Sequence, residues 1–238
     1  MSPAGQPHFR PALFTYLRDL EKNNNRDWFN DNKQRFLDNV RDPALQFISD
    51  FGPRLEKISP HFKADPRPSG GSLFRIYRDV RFSKDKSPYK TWVAVQFRHK
   101  QGKDVHAPGF YLHLAPGNVV AGVGIWRPDG PSLKKIRDAI AADPPRWKRL
   151  MASKGFSNFK REGDRLKRPP KGYDAEHPLI EDLKYKDFIG MAKLTQKAAT
   201  SADFLSQYTK LCKSGAPVVK FLSEALDVPS FTRSERRP

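Results

Sequence analysis

The chain has 238 residues, with 44 Lys and Arg against 26 Asp and Glu, for a formal charge of +18. That length fits one domain or at most two, and 17 Phe with 4 Trp furnish a core, which excludes wholesale disorder. No apolar run approaches the roughly 18 residues of a spanning helix, and the single Cys212 makes neither an internal disulfide nor a multi-thiolate metal site.

The opening residues carry no apolar stretch of the signal-peptide kind. The expectation is a strongly basic, soluble, cytoplasmic protein with no membrane partner. Residues 1–8, rich in Pro, Gly and Ser, are expected to be flexible, followed by a single domain over 9–229 and a flexible basic tail over 230–238.

In chain order, Phe9, Leu13, Phe14, Leu17 and Leu20 make one helical stripe, ended by Asn23-Asn24-Asn25. A second helix is expected from Asp27 to Val40, and a third opens at Pro43. Pro66, Pro68, Gly70 and Gly71 mark a loop. Four short stretches rich in aromatic and β-branched residues then read as strands: Leu73–Tyr77, Trp92–Arg98, Phe110–Ala115 and Val119–Trp126. Pro116-Gly117 joins the last two as a tight hairpin.

Helices return at Ser132–Ala142, with Ser132 as a cap, and at Pro145–Lys154. Gly155–Tyr173 reads as irregular, Phe188–Leu194 as a strand, and Phe204–Leu226 as a helix broken or kinked around Gly215 and Pro217. Helices, then strands, then helices predict an α+β fold with a mainly antiparallel sheet in the middle of the chain.

Positive charge concentrates twice. Residues 75–90 hold six cations and two acids, and residues 146–171 hold ten cations and two acids. Such charge attracts polyanions, but no nucleic-acid recognition motif accompanies it, so only non-specific nucleic-acid binding is supported through Arg146–Lys171. A solvated basic face is the favoured reading of that second cluster.

The first cluster looks chemical. Arg75, Arg78 and Arg81 recur every third residue, interleaved with Tyr77 and Phe82 and followed by Asp85, Lys86 and Tyr89. The planar fork of Arg suits two oxygens of a phosphate or carboxylate at once. Asp79 and Asp85 could orient these cations, and an Arg–Asp network that merely braces an interaction module is the competing reading. The run resembles the signature of the DUF2461 family of largely bacterial proteins, whose fixed positions are met by Arg75, Arg78, Asp79, Arg81, Phe82, Asp85, Lys86 and Tyr89. The resemblance extends over most of the chain, but it implies no activity, cofactor or catalytic residue.

Strand alternation takes the reading one step further. If one sheet face packs on the helices, the other gathers Arg75, Tyr77, Gln96, Arg98, Tyr111 and His113, with Gly122 and Gly124 opening room beside them. With Arg78, Arg81, Lys86 and Tyr89 at its rim, that face is expected to form an anion-binding pocket for a phosphorylated small molecule or nucleotide. His113, Asp79 and Asp85 are the candidates for acid–base chemistry there. No catalytic spacing, dinucleotide fingerprint, Walker pattern or metal motif is present, so neither a cofactor nor a metal is assigned.

Overall fold

Helix α1 (Pro11–Lys22) begins at a proline, whose missing N–H has no intrahelical partner to lose there, and buries Leu13, Phe14, Tyr16, Leu17 and Leu20. The computed structural model describes residues 6–101 and 107–229. Most of the 1–8 segment and all of the 230–238 tail expected to be flexible therefore lie outside the described residues. His8, inside them, pairs with Asp50 at 3.0 Å and sits edge-on to Phe47.

The single helix expected from Asp27 to Val40 is divided. Helix α2 (Arg26–Asp31) is capped by the Asn25 side chain, which accepts from the Trp28 N–H. Asn32 then interrupts the run: its backbone leaves helical geometry and its amide donates to the Trp28 carbonyl. The short α3 (Lys33–Phe36) and a π-helical turn (Leu37–Arg41) lead directly into α4 (Asp42–Ile58), which carries Pro43 in its first turn as expected.

The sheet contains β1 (Val93–Arg98), β2 (Gly109–Ala115), β3 (Asn118–Ile125), β4 (Lys160–Glu162) and β5 (Phe188–Leu194), in the order β1-β2-β3-β5-β4. All neighbours are antiparallel. Pro116-Gly117 forms the expected turn between β2 and β3, with Gly117 at φ 73°. One face carries Val95, Phe97, Phe110, Leu112, Ala121 and Val123 into the core. There Phe51 of α4 lies 4.6 Å from Phe97 and 5.1 Å from Tyr208. Tyr208 belongs to α9 (Phe204–Ala225), which runs across the core face of β3.

Several expectations need correction. Residues 204–225 form one continuous helix despite Pro217. Gly215 serves packing rather than a break, since a Cβ there would lie 2.6 Å from Val123 Cγ1. Between β3 and β4, α5 (Gly130–Ala142) is capped by Asp129, whose carboxylate accepts from the Ser132 N–H, so Ser132 is the recipient of the cap and not its source. Helix α6 (Pro144–Met151) follows. The supposedly irregular 155–173 stretch contains β4, an edge strand of charged residues with no apolar signal to reveal it. The four-residue helices α7 (Ile180–Leu183) and α8 (Gln196–Ala199) are too short to show periodicity.

Leu73–Tyr77 is not a strand of the sheet. It touches the outer edge of β1 only briefly: Leu73 bridges Val95, and the Phe74 N–H donates to the Ala94 carbonyl at 2.9 Å. The chain then closes on itself. Tyr77 bridges Tyr89, the Arg78 N–H donates to Pro88, and the Lys90 N–H donates to Ile76.

Candidate functional site

The sheet face turned away from α4 and α9 is only partly covered. Register places Gln96, Tyr111, Gly122 and Met191 in one row across β1, β2, β3 and β5, and Arg98, Gly109, Gly124 and Ile189 in the next. Over these rows lies a groove of about 380 Å³, walled by Phe74, Trp92, Tyr111, Trp126, Ile189 and Met191. Phe74 stands edge-on to both Trp92 and Tyr111. Trp126 is 46% exposed, with the Arg127 guanidinium 4.7 Å from its ring centre.

Gly122 is the floor. A Cβ there would lie 2.8 Å from Met191 Sδ and 3.2 Å from Tyr111 Cβ, so any side chain would push into the groove or displace its walls. Flat aromatic walls over a bare backbone suit a planar ring, which gains both area burial and ring–ring contact.

One wall is polar. The Tyr111 hydroxyl is 3.1 Å from His113 Nδ1, and the His113 ring packs 5.2 Å from that of Trp92. Burial pushes the Tyr111 phenol up to about 12 and pushes the His113 imidazole down. A phenol that keeps its proton can donate to a bare Nδ1 or accept from Nδ1–H, so the pair stays hydrogen-bonded in either neutral tautomer of His113. Near Trp92, Lys90 Nζ donates to the carbonyls of Arg75 and Tyr77 and lies 5.2 Å from the Trp92 ring centre.

A second, smaller cavity of about 110 Å³ opens at the outer edge of β1, lined by Lys63, Asp65, Arg67, Ser72, Arg98 and Lys100 among others. Gln96 lines both cavities, which makes them neighbours. Asp65, nearly buried, accepts from Arg67 Nε and Nη2 and pairs with Lys63 Nζ at 2.8 Å. These cations hold its carboxyl well below the usual carboxylate range.

The arginine motif occupies a separate place. Arg78 pairs with Asp85 and donates to the Ser87 carbonyl at 3.1 Å. Arg81 grips Asp79 through Nε at 3.0 Å and Nη2 at 2.7 Å, and Lys86 Nζ donates to the Val80 carbonyl. Hydrogen bonds from Arg81 lower Asp79 to about 2, while those from Ser87 and then Arg78 lower Asp85 to about 2. Tyr89 is buried and stacked on Phe29 with centroids 4.1 Å apart. Asn24 clamps the Tyr89 backbone by two 3.0 Å hydrogen bonds, which ties the motif to the turn after α1. Phe82, at 96% exposure, stands out from the loop.

Of the residues singled out in the sequence, Tyr111 and His113 come together beside the groove. Arg75, Tyr77, Arg78, Arg81, Lys86 and Tyr89, with Asp79 and Asp85, form the adjoining motif loop and do not line the groove. Sequence reasoning missed Phe74, Trp92 and Met191 as groove walls, and Lys63 and Arg67 as walls of the smaller cavity. For Phe74 a signal existed, since alternation in an extended segment puts it on the face opposite to Leu73 and Arg75.

In the 146–171 cluster, Arg146 pairs with Glu224 and Arg161 with Asp182, and both Arg161 and Arg165 lie over the Tyr185 ring. Lys148, Arg149, Lys154, Lys167, Arg168 and Lys171 are exposed. Among the described residues, no group of three His, Cys, Asp or Glu side chains is placed to hold a metal ion, and no helix is long and apolar enough to cross a membrane.

These elements define an α+β protein built on a five-stranded antiparallel sheet, with a ligand-sized aromatic groove on the sheet face opposite its core helices. The family model described as "Conserved hypothetical protein (DUF2461)" matches residues 12–221, nearly the whole chain, and the protein belongs to that family. No match was found among curated proteins or among solved structures.

Proposed function

We propose that the protein binds a phosphorylated small molecule or nucleotide on the open face of its sheet, with a planar ring of the ligand lying in the aromatic groove. The observation that carries this reading is the set of four aromatic side chains, Phe74, Trp92, Tyr111 and Trp126, arranged over the bare backbone of Gly122. Burying roughly 100 Å² of ring surface there is worth about 2.5 kcal/mol, and the charge of +18 favours anionic ligands among those that carry such a ring. The Tyr111–His113 pair at the wall supplies a polar contact that fixes ring orientation.

Trp92 and Trp126 make the test direct. Titration with ribonucleosides and their 5′-monophosphates is expected to change tryptophan fluorescence saturably, and Gly122→Val is expected to abolish the change while the protein stays folded. A folded Gly122→Val variant that binds as wild type would contradict the reading.

A second reading concerns the motif alone. Arg78–Asp85 and Arg81–Asp79 satisfy each other within one loop, which favours a bracing role for those residues. The two readings are compatible, because the braced loop adjoins Trp92 through Lys90. On the bracing reading, Asp79→Ala and Asp85→Ala loosen the loop, seen as faster amide exchange over residues 78–87, without removing the groove.

A further inference from the structure

We infer that the anionic group of the groove ligand is taken by the small cavity at the outer edge of β1, with Arg98 as its principal contact, and not by the arginine motif. The inference rests on the groove reading above and adds where the charge of the ligand goes.

Three observations point there. The first is continuity: Gln96 lines both cavities, so a ring over Tyr111 and Gly122 has the smaller cavity beside it along the same sheet row. The second is charge balance. Asp65 engages Arg67 and Lys63, whereas neither Arg98 nor Lys100 forms an ion pair with a carboxylate among the described residues. In the motif, by contrast, Arg78 and Arg81 each already hold an aspartate. An incoming anion would have to displace a carboxylate there, while at Arg98 it meets a fork that holds no carboxylate of the described residues and is suited to two oxygens.

The third is that the walls are fixed. Ser72 accepts the Asp65 N–H at 3.0 Å and donates to the Lys63 carbonyl. The Lys63 N–H donates to the Arg98 carbonyl at 3.1 Å, and the Gln96 N–H donates to the Ser72 carbonyl at 2.9 Å. Both loop strands are thereby pinned to β1, so the cavity exists before a ligand arrives. Its size of about 110 Å³ suits a phosphate or carboxylate group, while the groove of about 380 Å³ suits the ring.

The test compares each of the four ribonucleosides with its 5′-monophosphate by calorimetric titration, for wild type, Arg98→Gln, Arg98→Lys, Lys63→Gln/Lys100→Gln and Arg78→Ala. Circular dichroism confirms the fold of each variant. For the base that binds best, the monophosphate is expected to bind wild type at least tenfold more tightly than the nucleoside. Arg98→Gln is expected to erase that advantage, Arg98→Lys to restore part of it, and the double lysine variant to reduce it. Arg78→Ala is expected to preserve it.

An advantage that survives Arg98→Gln overturns the inference, and one that disappears in folded Arg78→Ala overturns it and assigns the anion to the motif. Equal affinity for nucleoside and monophosphate overturns it while leaving the groove reading intact. Absence of binding by every nucleoside and monophosphate removes the groove reading and this inference together.

Discussion

Tyr111 stands directly opposite Gly122 in the β2–β3 ladder, and the absence of a side chain at 122 leaves the Tyr111 ring as the wall of an open groove. On the core side of the same sheet, the neighbouring pair Leu112 and Ala121 is fully packed. Alternation along two strands thus gives one filled face and one face with room for a ligand.

Gly122→Val places its Cβ 2.8 Å from Met191 Sδ and 3.2 Å from Tyr111 Cβ, closer than ordinary van der Waals contact. Overpacking of this kind costs about 1–3 kcal/mol, and the groove floor is lost. The expected outcome is a folded protein with a lowered melting point and no ring binding. Thermal melts and ligand titrations on the same sample check both parts.

Asn24→Ala removes the side chain that satisfies both backbone groups of Tyr89. Leaving a buried group unpaired costs about 1–3 kcal/mol. Both Tyr89 groups are only part-buried and can recruit water, so a combined loss of about 1–3 kcal/mol is expected. Exchange of the Tyr89 amide should accelerate well before global unfolding. An unchanged melting point with an unchanged Tyr89 exchange rate would contradict the clamp.

The aspartates of the motif carry a pH signature. Their folded-state values of about 2 lie below an unfolded reference of about 3.9. Whatever stability they contribute is complete above pH ~4 and is lost as pH falls from ~4 through ~2. Carboxyl NMR titration is expected to find Asp79 and Asp85 still ionised at pH 3. Midpoints near 4 would show that the two arginine pairs do not form in solution. Phe82, on the same loop but exposed, should tolerate Phe82→Ser within about 0.5 kcal/mol.

His113 titrates in the opposite chemical sense with the same outcome on acidification. Burial lowers its folded-state value below the unfolded reference of about 6.5. The unfolded chain therefore takes up the proton first, and stability falls as pH drops below ~6.5. NMR of the imidazole is expected to show His113 titrating below the ordinary histidine value. His113→Gln should flatten the stability profile in that window.

Much of the fold was legible because the relevant signals are local. Phe188–Leu194 coincides with β5, and the alternation in Phe110–Ala115 and Val119–Trp126 gave the correct facing of Tyr111, His113 and Gly122. Lys160–Glu162 was not legible, because an edge strand of three charged residues carries neither apolar alternation nor β-branched enrichment.

The fate of the arginines was hidden for a different reason. A period-two face rule assumes an extended chain, but the segment leaves β1 after Phe74 and folds back so that Arg78 meets Asp85, seven residues on. The cavity at Arg98 was likewise out of reach of local patterns, since it is completed by Lys63, Asp65 and Arg67 from a loop that reaches β1 only through tertiary pairing.

The most direct measurement is an NMR titration of the protein with the best-binding nucleoside monophosphate, following the Met191 methyl, the indole N–H groups of Trp92 and Trp126, and the amides of residues 78–87. Saturable shifts at Met191 and both indoles, with the motif loop unmoved, are the expected result. Shifts confined to residues 78–87, with Met191 and both indoles unchanged, would place the ligand on the arginine motif and contradict a binding site on the open sheet face.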